Sequence, residues 1–366
     1  MDEVPRYVGT VPGWRRALCG GACQRAGGNP ELREQLIFTY PNIFIYDHDM
    51  DDLIIGAGSI GQVLGLHLSG AGRHVGVLVR PAHAAQARSG FQLRRLRRLR
   101  GPVRGRFLPD RVIDDITLLH PGDWNAIWLC VSSTGLRGLG LEQLRARAIS
   151  PTIVLTSQGV HDRAVLENHW PAEQVVLAAP QFFAFPGPPA DPGRPDAVTS
   201  YWTPPGAAAW QVSGTGERAS AVAGALRRGR LKVKTTQAHG AAEMLAAANI
   251  PLAAQVESAG WSLQGARSDL GAASLAASEA AGIVAAVHGA KPPPAIARSA
   301  AGMRAALSAL SLLAPFDLER YLRHHFTKVA AQTRLMLDDL IDEGAARGLP
   351  VTRLRRLRAD LADGSP

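Results

Sequence analysis

Three glycines set between an apolar run and a helix-forming run constrain this chain more than any other feature. Leu53-Ile54-Ile55 leads into Gly56-Ala57-Gly58-Ser59-Ile60-Gly61, and Gln62-Val63-Leu64-Gly65-Leu66-His67-Leu68 follows. This is the order strand, glycine-rich turn, amphipathic helix, and it predicts a site for a dinucleotide pyrophosphate. Gly56 lets the chain turn tightly off the strand, Gly58 lets bare backbone approach the phosphates, and Gly61 lets the helix pack close to the strand. The helix N-terminus adds free N–H groups and the positive end of its dipole. A second apolar run, Val75-Gly76-Val77-Leu78-Val79, arrives at the spacing of a βαβ unit and ends on Arg80. An acidic residue there would meet the ribose hydroxyls of NAD, whereas an arginine can meet the 2′-phosphate of NADP. The competing reading is a glycine turn that merely packs a helix on a sheet.

Length and charge set the frame around this turn. A chain of 366 residues, 46% hydrophobic and 19% charged, has the composition of a soluble globular protein and enough length for two domains. Its net charge of +9 rests almost wholly on arginine, the lysines being Lys232, Lys234, Lys291 and Lys328. Arginines gather in Leu93-Arg94-Arg95-Leu96-Arg97-Arg98-Leu99-Arg100 and again in Arg353-Leu354-Arg355-Arg356-Leu357-Arg358. Interleaved leucines and few neighbouring aromatics favour solvated strand or helix faces over binding to nucleic acid or membrane. Cys19, Cys23 and Cys130 make neither a disulfide framework nor a metal-ligand pattern, which points to a reducing, cytoplasmic setting. No apolar run approaches the ~18 residues of a membrane span, and the N-terminus lacks the apolar core of a secretion signal.

Residues 1–49 carry little apolar periodicity and read as a mobile extension, or as upstream sequence included by a generous choice of start site, in preference to a cap on the first domain. Strand character recurs at Val112-Ile113, Ala126–Val131, Thr152–Thr156 and Val175–Ala179. Residues 186–196 are a Pro/Gly-rich loop, followed by short antiparallel strands at Tyr201–Thr203 and Trp210–Val212, with Leu231–Lys234 as the last strand. From about Thr236 Ala-rich helical patterns take over. A final long helix is expected from near Asp317 to Ala346, with Leu322, Phe326, Val329, Thr333, Leu337, Leu340 and Ile341 on its core face. The expected fold is α/β: a Rossmann-type dinucleotide-binding domain over 50–235 and an all-helical C-terminal domain over 236–366.

This order of features resembles the ketopantoate reductase family over roughly Met50 to Leu361. Leu129-Cys130-Val131-Ser132-Ser133-Thr134 is similar to a family segment beside the cofactor. Ser157-Gln158-Gly159-Val160 looks like the loop that holds the nicotinamide ribose and substrate, and Ala345-Ala346-Arg347-Gly348-Leu349-Pro350-Val351 looks like the family's ending. The resemblance implies an NADP domain, a helical domain, a substrate cleft between them, and reduction of a 2-oxo acid, ketopantoate, to pantoate. It implies cofactor contacts from Gly56, Ala57, Gly58, Ser59, Ile60, Gly61, Arg80, Ser132 and Gln158, and substrate contacts from Gln158 and Asn249. The partner is then a small molecule, and a homodimer is left open.

The departures from the family concern the chemistry. Ser132 stands where the family has lysine, Gln158 where it has asparagine, and Arg334 where it has a cofactor-binding glutamate. The helix that would carry the catalytic lysine reads Glu243 to Leu252 and has Asn249 but no lysine. Reduction of a carbonyl needs a proton for the forming alkoxide. Glu243 and His239 are the nearest titratable groups. A helix-start carboxylate and a turn residue are their plainer readings, as packing or surface placement is for His324 and His325. The aromatics between Pro180 and Pro186 suit either an apolar cleft wall or plain core. Two function classes follow: an NADP-dependent oxidoreductase of a 2-oxo or 2-hydroxy acid or related carbonyl compound, and a non-catalytic NADP-binding paralogue.

Overall fold

The computed structural model describes residues 51–361 apart from 123, 188–197, 215, 238–239, 290 and 293. The expected extension over 1–49, most of the Pro/Gly-rich loop and His239 lie outside the described residues.

The apolar runs form an eight-stranded sheet. Along the chain come β1 (Asp51–Ile55), α1 (Ser59–Ser69), β2 (His74–Leu78), α2 (Pro81–Ser89), β3 (Phe91–Arg95), β4 (Val103–Phe107) and β5 (Arg111–Ile113). Next are β6 (Ala126–Leu129), α3 (Ser133–Arg137), α4 (Leu141–Arg147), β7 (Thr152–Leu155), α5 (Asp162–Glu167) and β8 (Val175–Pro180). β9 (Phe183–Pro186), β10 (Val198–Trp202), β11 (Trp210–Ser213), α6 (Gly216–Arg228) and β12 (Val233–Thr236) close this part. The main sheet has the order β12-β11-β8-β7-β6-β1-β2-β5. Its pairings are parallel except β8 with β11.

Strand alternation sorts the side chains onto two faces. Ile54, Val77, Trp128, Val154 and Val176 pack with α1 and α6. Leu53, Ile55, Ile127, Leu129, Ile153 and Leu155 pack on the other face with Leu136, Leu144 and Leu166. Polar groups are buried at the end of β1 away from the glycines. There Asp52, wholly buried, takes hydrogen bonds from Trp128 Nε1 at 2.9 Å and from Arg73 Nε.

A second sheet, β4-β3-β10-β9, lies over α1. The helix leaving the glycine turn is therefore covered on both sides rather than amphipathic: Gly61, Gln62, Val63, Leu64, Gly65 and Leu68 are all buried. A Cβ at Gly65 would stand 2.3 Å from the Phe107 ring, so the second sheet sits on bare backbone there. The strands at Tyr201 and Trp210 belong to different sheets; β10 pairs antiparallel with β9 and parallel with β3. The first arginine run is part of β3, an inner strand of the second sheet, and the hairpin tip beyond it. Phe91 and Leu93 are buried, Arg95 is exposed, and Leu99 at the tip is 92% exposed.

After Thr236 the described chain is all helical: α7 (Ala241–Ser258), α8 (Leu263–Ser268), α9 (Leu270–His288), α10 (Ala295–Arg298), α11 (Ala300–Leu313), α12 (Leu318–Lys328), α13 (Ala330–Ala346) and α14 (Thr352–Ala359). The expected single helix from Asp317 to Ala346 is two, broken at Val329 (φ −109°, ψ +20°). Its anticipated core face serves two cores. Tyr321 and Leu322 join an aromatic cluster with Phe183, Phe185 and Phe316, whereas Leu337 and Leu340 pack with α7, α9 and α14. A straight helix could not direct both groups inward.

Contrary to expectation, α9 is long and apolar enough, by length and composition, to cross a bilayer. Here it is the inner helix of this part. Ala273, Ala276, Ala277, Ala280, Ala281 and Ile283 are buried, and its Glu279 accepts the backbone N–H groups of Arg353 and Leu354 at the start of α14. The second arginine run is α14 itself, with Leu354 and Leu357 turned inward.

Candidate dinucleotide and carbonyl site

β1 lies between β2 and β6, where the chain order reverses, and the glycine turn leaves the carboxyl end of β1. Crevices at such switch points bind ligands. Gly56 has φ +94°, and a Cβ on it would lie 2.6 Å from the Cys130 carbonyl oxygen. A Cβ on Gly61 would lie 2.2 Å from the Gly56 carbonyl oxygen, so this glycine is what lets α1 close onto the strand end. Gly58 (φ −71°) needs no glycine for its backbone, yet nothing lies within 4 Å of where its Cβ would be. It opens the turn to an incoming group. No side chain caps α1 and no carboxylate sits in its first turn, so the amides of Ser59 and Ile60 begin the helix without an anionic competitor.

Gln62, overlooked in the sequence as an ordinary helix residue, braces this turn. Its Nε2 donates to the Ala57 carbonyl at 2.9 Å, and its Oε1 accepts from Thr199 Oγ1 of β10 at 2.6 Å. Thr199→Val would leave a buried amide oxygen without its donor. The expected loss is about 1–3 kcal/mol of stability by urea unfolding. Affinity for a dinucleotide held at this turn should weaken as the turn loosens; unchanged affinity would show that the brace is idle.

Arg80 is exposed at the start of α2, with a guanidinium nitrogen 3.2 Å from His83 Nε2. Ser132 caps α3: its Oγ accepts the Gly135 N–H at 3.0 Å and lies 2.8 Å from Thr134 Oγ1. The loop after β7 is tied to the loop after β6 by Asp162, a residue the sequence reading passed over. Its buried carboxylate takes Ser133 Oγ at 2.6 Å and the Gly159 N–H at 2.9 Å. The signal was an acid at a helix start three residues past a glycine, a pattern too common to be picked out alone.

Gln158 and Glu243 are brought together, lining one narrow cavity with Val160, Ala246, Ala247, Ile250 and Met336. Asn249 is exposed on α7 and does not line that cavity. Arg334 is held by Glu257, 2.8 Å away, and by the Ala330 carbonyl at 3.2 Å. His325 stacks on Tyr321 with ring centroids 5.4 Å apart, and burial pushes it down to about 4, so it is a neutral packing residue. Phe183 and Phe185 are core: Phe185 lies 5.1 Å from both Phe316 and Tyr321. Among the described residues no three His, Cys, Asp or Glu side chains are grouped to hold a metal ion.

A glycine turn at the switch point of a largely parallel sheet, followed by a helical part, defines a Rossmann-type α/β fold with a helical C-terminal part. Residues 53–186 match the family described as ketopantoate reductase PanE/ApbA. The fold is similar to 2-dehydropantoate 2-reductase from Geobacter metallireducens GS-15, at TM-score 0.64 and 15% identity over 86% of this chain and 100% of that one. It is also similar to the enzyme of the same name from Methylococcus capsulatus, at TM-score 0.60 and 17% identity over 84% of this chain and 94% of the other. D-mandelate dehydrogenase, solved with NADH and anilino(oxo)acetate, aligns at TM-score 0.63 and 15% identity over 85% of this chain and 97% of its own. No curated protein matched the sequence. These likenesses establish a ketopantoate-reductase-like fold.

Proposed function

We propose that this chain is an NADP-dependent reductase or dehydrogenase of a small 2-oxo or 2-hydroxy acid, or of a related carbonyl compound. The observation that carries the reading is the open face at Gly58 between two glycines whose Cβ atoms the fold excludes. Such a turn suits a pyrophosphate: the amides of the turn and of the first helical residues would hold it. Arg80, at the end of β2, would hold the 2′-phosphate of the adenosine half. The nicotinamide half would then extend across β1 toward the loops after β6 and β7, which carry Ser132 and Gln158. When bound, the dinucleotide supplies hydride. The chain's own residues must orient the carbonyl, exclude water and provide a proton, and the amide of Gln158 is placed to hold a carbonyl or carboxylate oxygen.

Arg80→Ala should weaken NADPH binding by roughly ten- to a hundredfold, the 1.5–3 kcal/mol of one charge-assisted contact, and leave NADH unchanged. Fluorescence titration with both dinucleotides measures this; equal affinity for the two in the unmutated protein would remove the NADP assignment. Activity is tested by loss of NADPH absorbance with ketopantoate, 2-oxoisovalerate and phenylglyoxylate, alongside Gln158→Ala and Asn249→Ala. One observation favours the second reading, a protein that binds NADP without turnover. Ser132, where the family has a lysine, is a helix cap, and α7 contains no lysine. Tight NADPH binding with no oxidation by any of these acids would decide for it.

A further inference from the structure

We propose that Glu243 is the proton donor for carbonyl reduction in this chain, acting into the cavity it shares with Gln158. The inference rests on the reductase reading and goes beyond it by naming the acid. Glu243 sits in the first turn of α7 and is 3% exposed. One carboxyl oxygen, Oε2, has no hydrogen-bond partner among the described residues, an arrangement that is costly unless the oxygen serves a group that comes and goes. The amides of Ala242 and Glu243 hydrogen-bond the carboxyl, and His288 Nε2 of α9 lies 4.0 Å from Oε1. The charged groups of α5 that reach it are Arg163 and Asp162, of opposite sign. Val160, Ala246, Ala247 and Ile250 complete an apolar surround with room for about one water molecule. Burial in that surround raises the carboxyl above the ordinary glutamate range, against the pull of the two amides and Arg163. A carboxylic acid kept neutral in an apolar site can donate a hydrogen bond at neutral pH.

The loop after β7 is the shared element. It carries Gln158 at the cavity and stands on the side of β1 opposite Arg80, where the reacting end of the dinucleotide would lie. In the step, the carbonyl carbon gains hydride and its electron pair from the reduced nicotinamide, and the carbonyl π pair moves to oxygen. That oxygen takes the proton of Glu243, directly or through one water. The carboxylate left behind is reprotonated from solvent.

The test compares the full-length protein with Glu243→Gln, which keeps the shape and the amide contacts but cannot donate a proton as an acid. Three quantities are measured: NADPH affinity, single-turnover reduction of whichever of the three 2-oxo acids the unmutated protein accepts, and thermal midpoint against pH. Affinity should stay within about twofold, and the rate should fall by about 10²–10⁴. The midpoint gives a reading independent of activity. A carboxyl whose folded-state value is raised adds stability that is present in acid and is lost as pH rises through that value. The Gln variant should therefore gain on the unmutated protein as pH rises above the ordinary glutamate range. A gap that does not change with pH above that range would show that Glu243 folds with an ordinary, ionised carboxyl and overturn the proposal, as would a Gln variant that keeps its rate within a few-fold. A helix-start carboxylate with no chemical role gives that last result. Failure of the unmutated protein to oxidise bound NADPH overturns the reductase reading, and this inference with it.

Discussion

Gly61→Ala should lower NADPH affinity by at least about a hundredfold and stability by about 2–3 kcal/mol, the cost of forcing a methyl into occupied space. The added Cβ would lie 2.2 Å from the Gly56 carbonyl oxygen and 3.1 Å from Ile54 Cγ2. The nearer atom is backbone and cannot rotate away, so α1 must lift from the end of β1 and carry its first amides out of position. Gly58→Ala makes the informative contrast. Its φ of −71° suits alanine and its Cβ meets nothing, so stability should change by no more than about 0.5 kcal/mol. Affinity should nevertheless fall, because the methyl stands where the phosphates approach. Urea unfolding and NADPH titration of the two variants separate the effects. Should Gly58→Ala bind as well as the unmutated protein, the open face is not the ligand face.

Arg73→Ala should cost about 3–5 kcal/mol at neutral pH, the range for removing one partner of a buried ion pair. Asp52 is wholly buried and the Arg73 side chain is 8% exposed, so solvent screens the pair little. Even in the intact protein burial outweighs Arg73 and Trp128, and the Asp52 carboxyl stands above the ordinary aspartate range. Without Arg73 the carboxyl rises further, because its main counter-charge is gone and only Arg228 remains in reach. A group raised in this way contributes its stability in acid and loses it as pH climbs through the folded-state value. The deficit of the variant should thus be largest at neutral pH and shrink as pH falls through the raised folded-state values toward the ordinary aspartate range, where a neutral Asp52 can stay buried against Trp128. Urea midpoints at about pH 7 and about pH 4 measure it. A deficit independent of pH would mean that Arg73 acts by packing its stem rather than by its charge.

The inner parallel strands were legible in the sequence because each is built on a short apolar run, as strands buried on both faces must be. The glycine turn was legible because backbone geometry leaves few alternatives to glycine at Gly56 and Gly61. The second sheet was not. Its strands mix buried Phe91 and Leu93 with Arg94 and Arg95, and that pattern reads equally as strand or helix edge. With the second sheet unseen, α1 was taken for a helix with one wet face. Its lack of any charged residue between Ser59 and Ser69 was the clue that it has none. The break at Val329 left no glycine or proline to announce it; it is imposed by two cores that the helix must reach in turn. Asp162 and the pairing of Gln158 with Glu243 join residues far apart in the chain, and spacing alone carries no trace of such contacts.

Gln62 turns three separate parts of the protein into one load path. Its amide grips the glycine turn at Ala57 and, at its other end, Thr199 of β10. β10 is hydrogen-bonded along its length to β9, and β9 carries Phe183 and Phe185 into the aromatic cluster with Phe316 and Tyr321 at α12. Those rings interlock at centroid distances near 5 Å and leave little slack. A displacement of α12 is thus drawn through β9, β10 and one glutamine to the backbone that would grip the cofactor. The helical part and the nucleotide turn, more than a hundred residues apart in sequence, cannot be re-engineered one at a time.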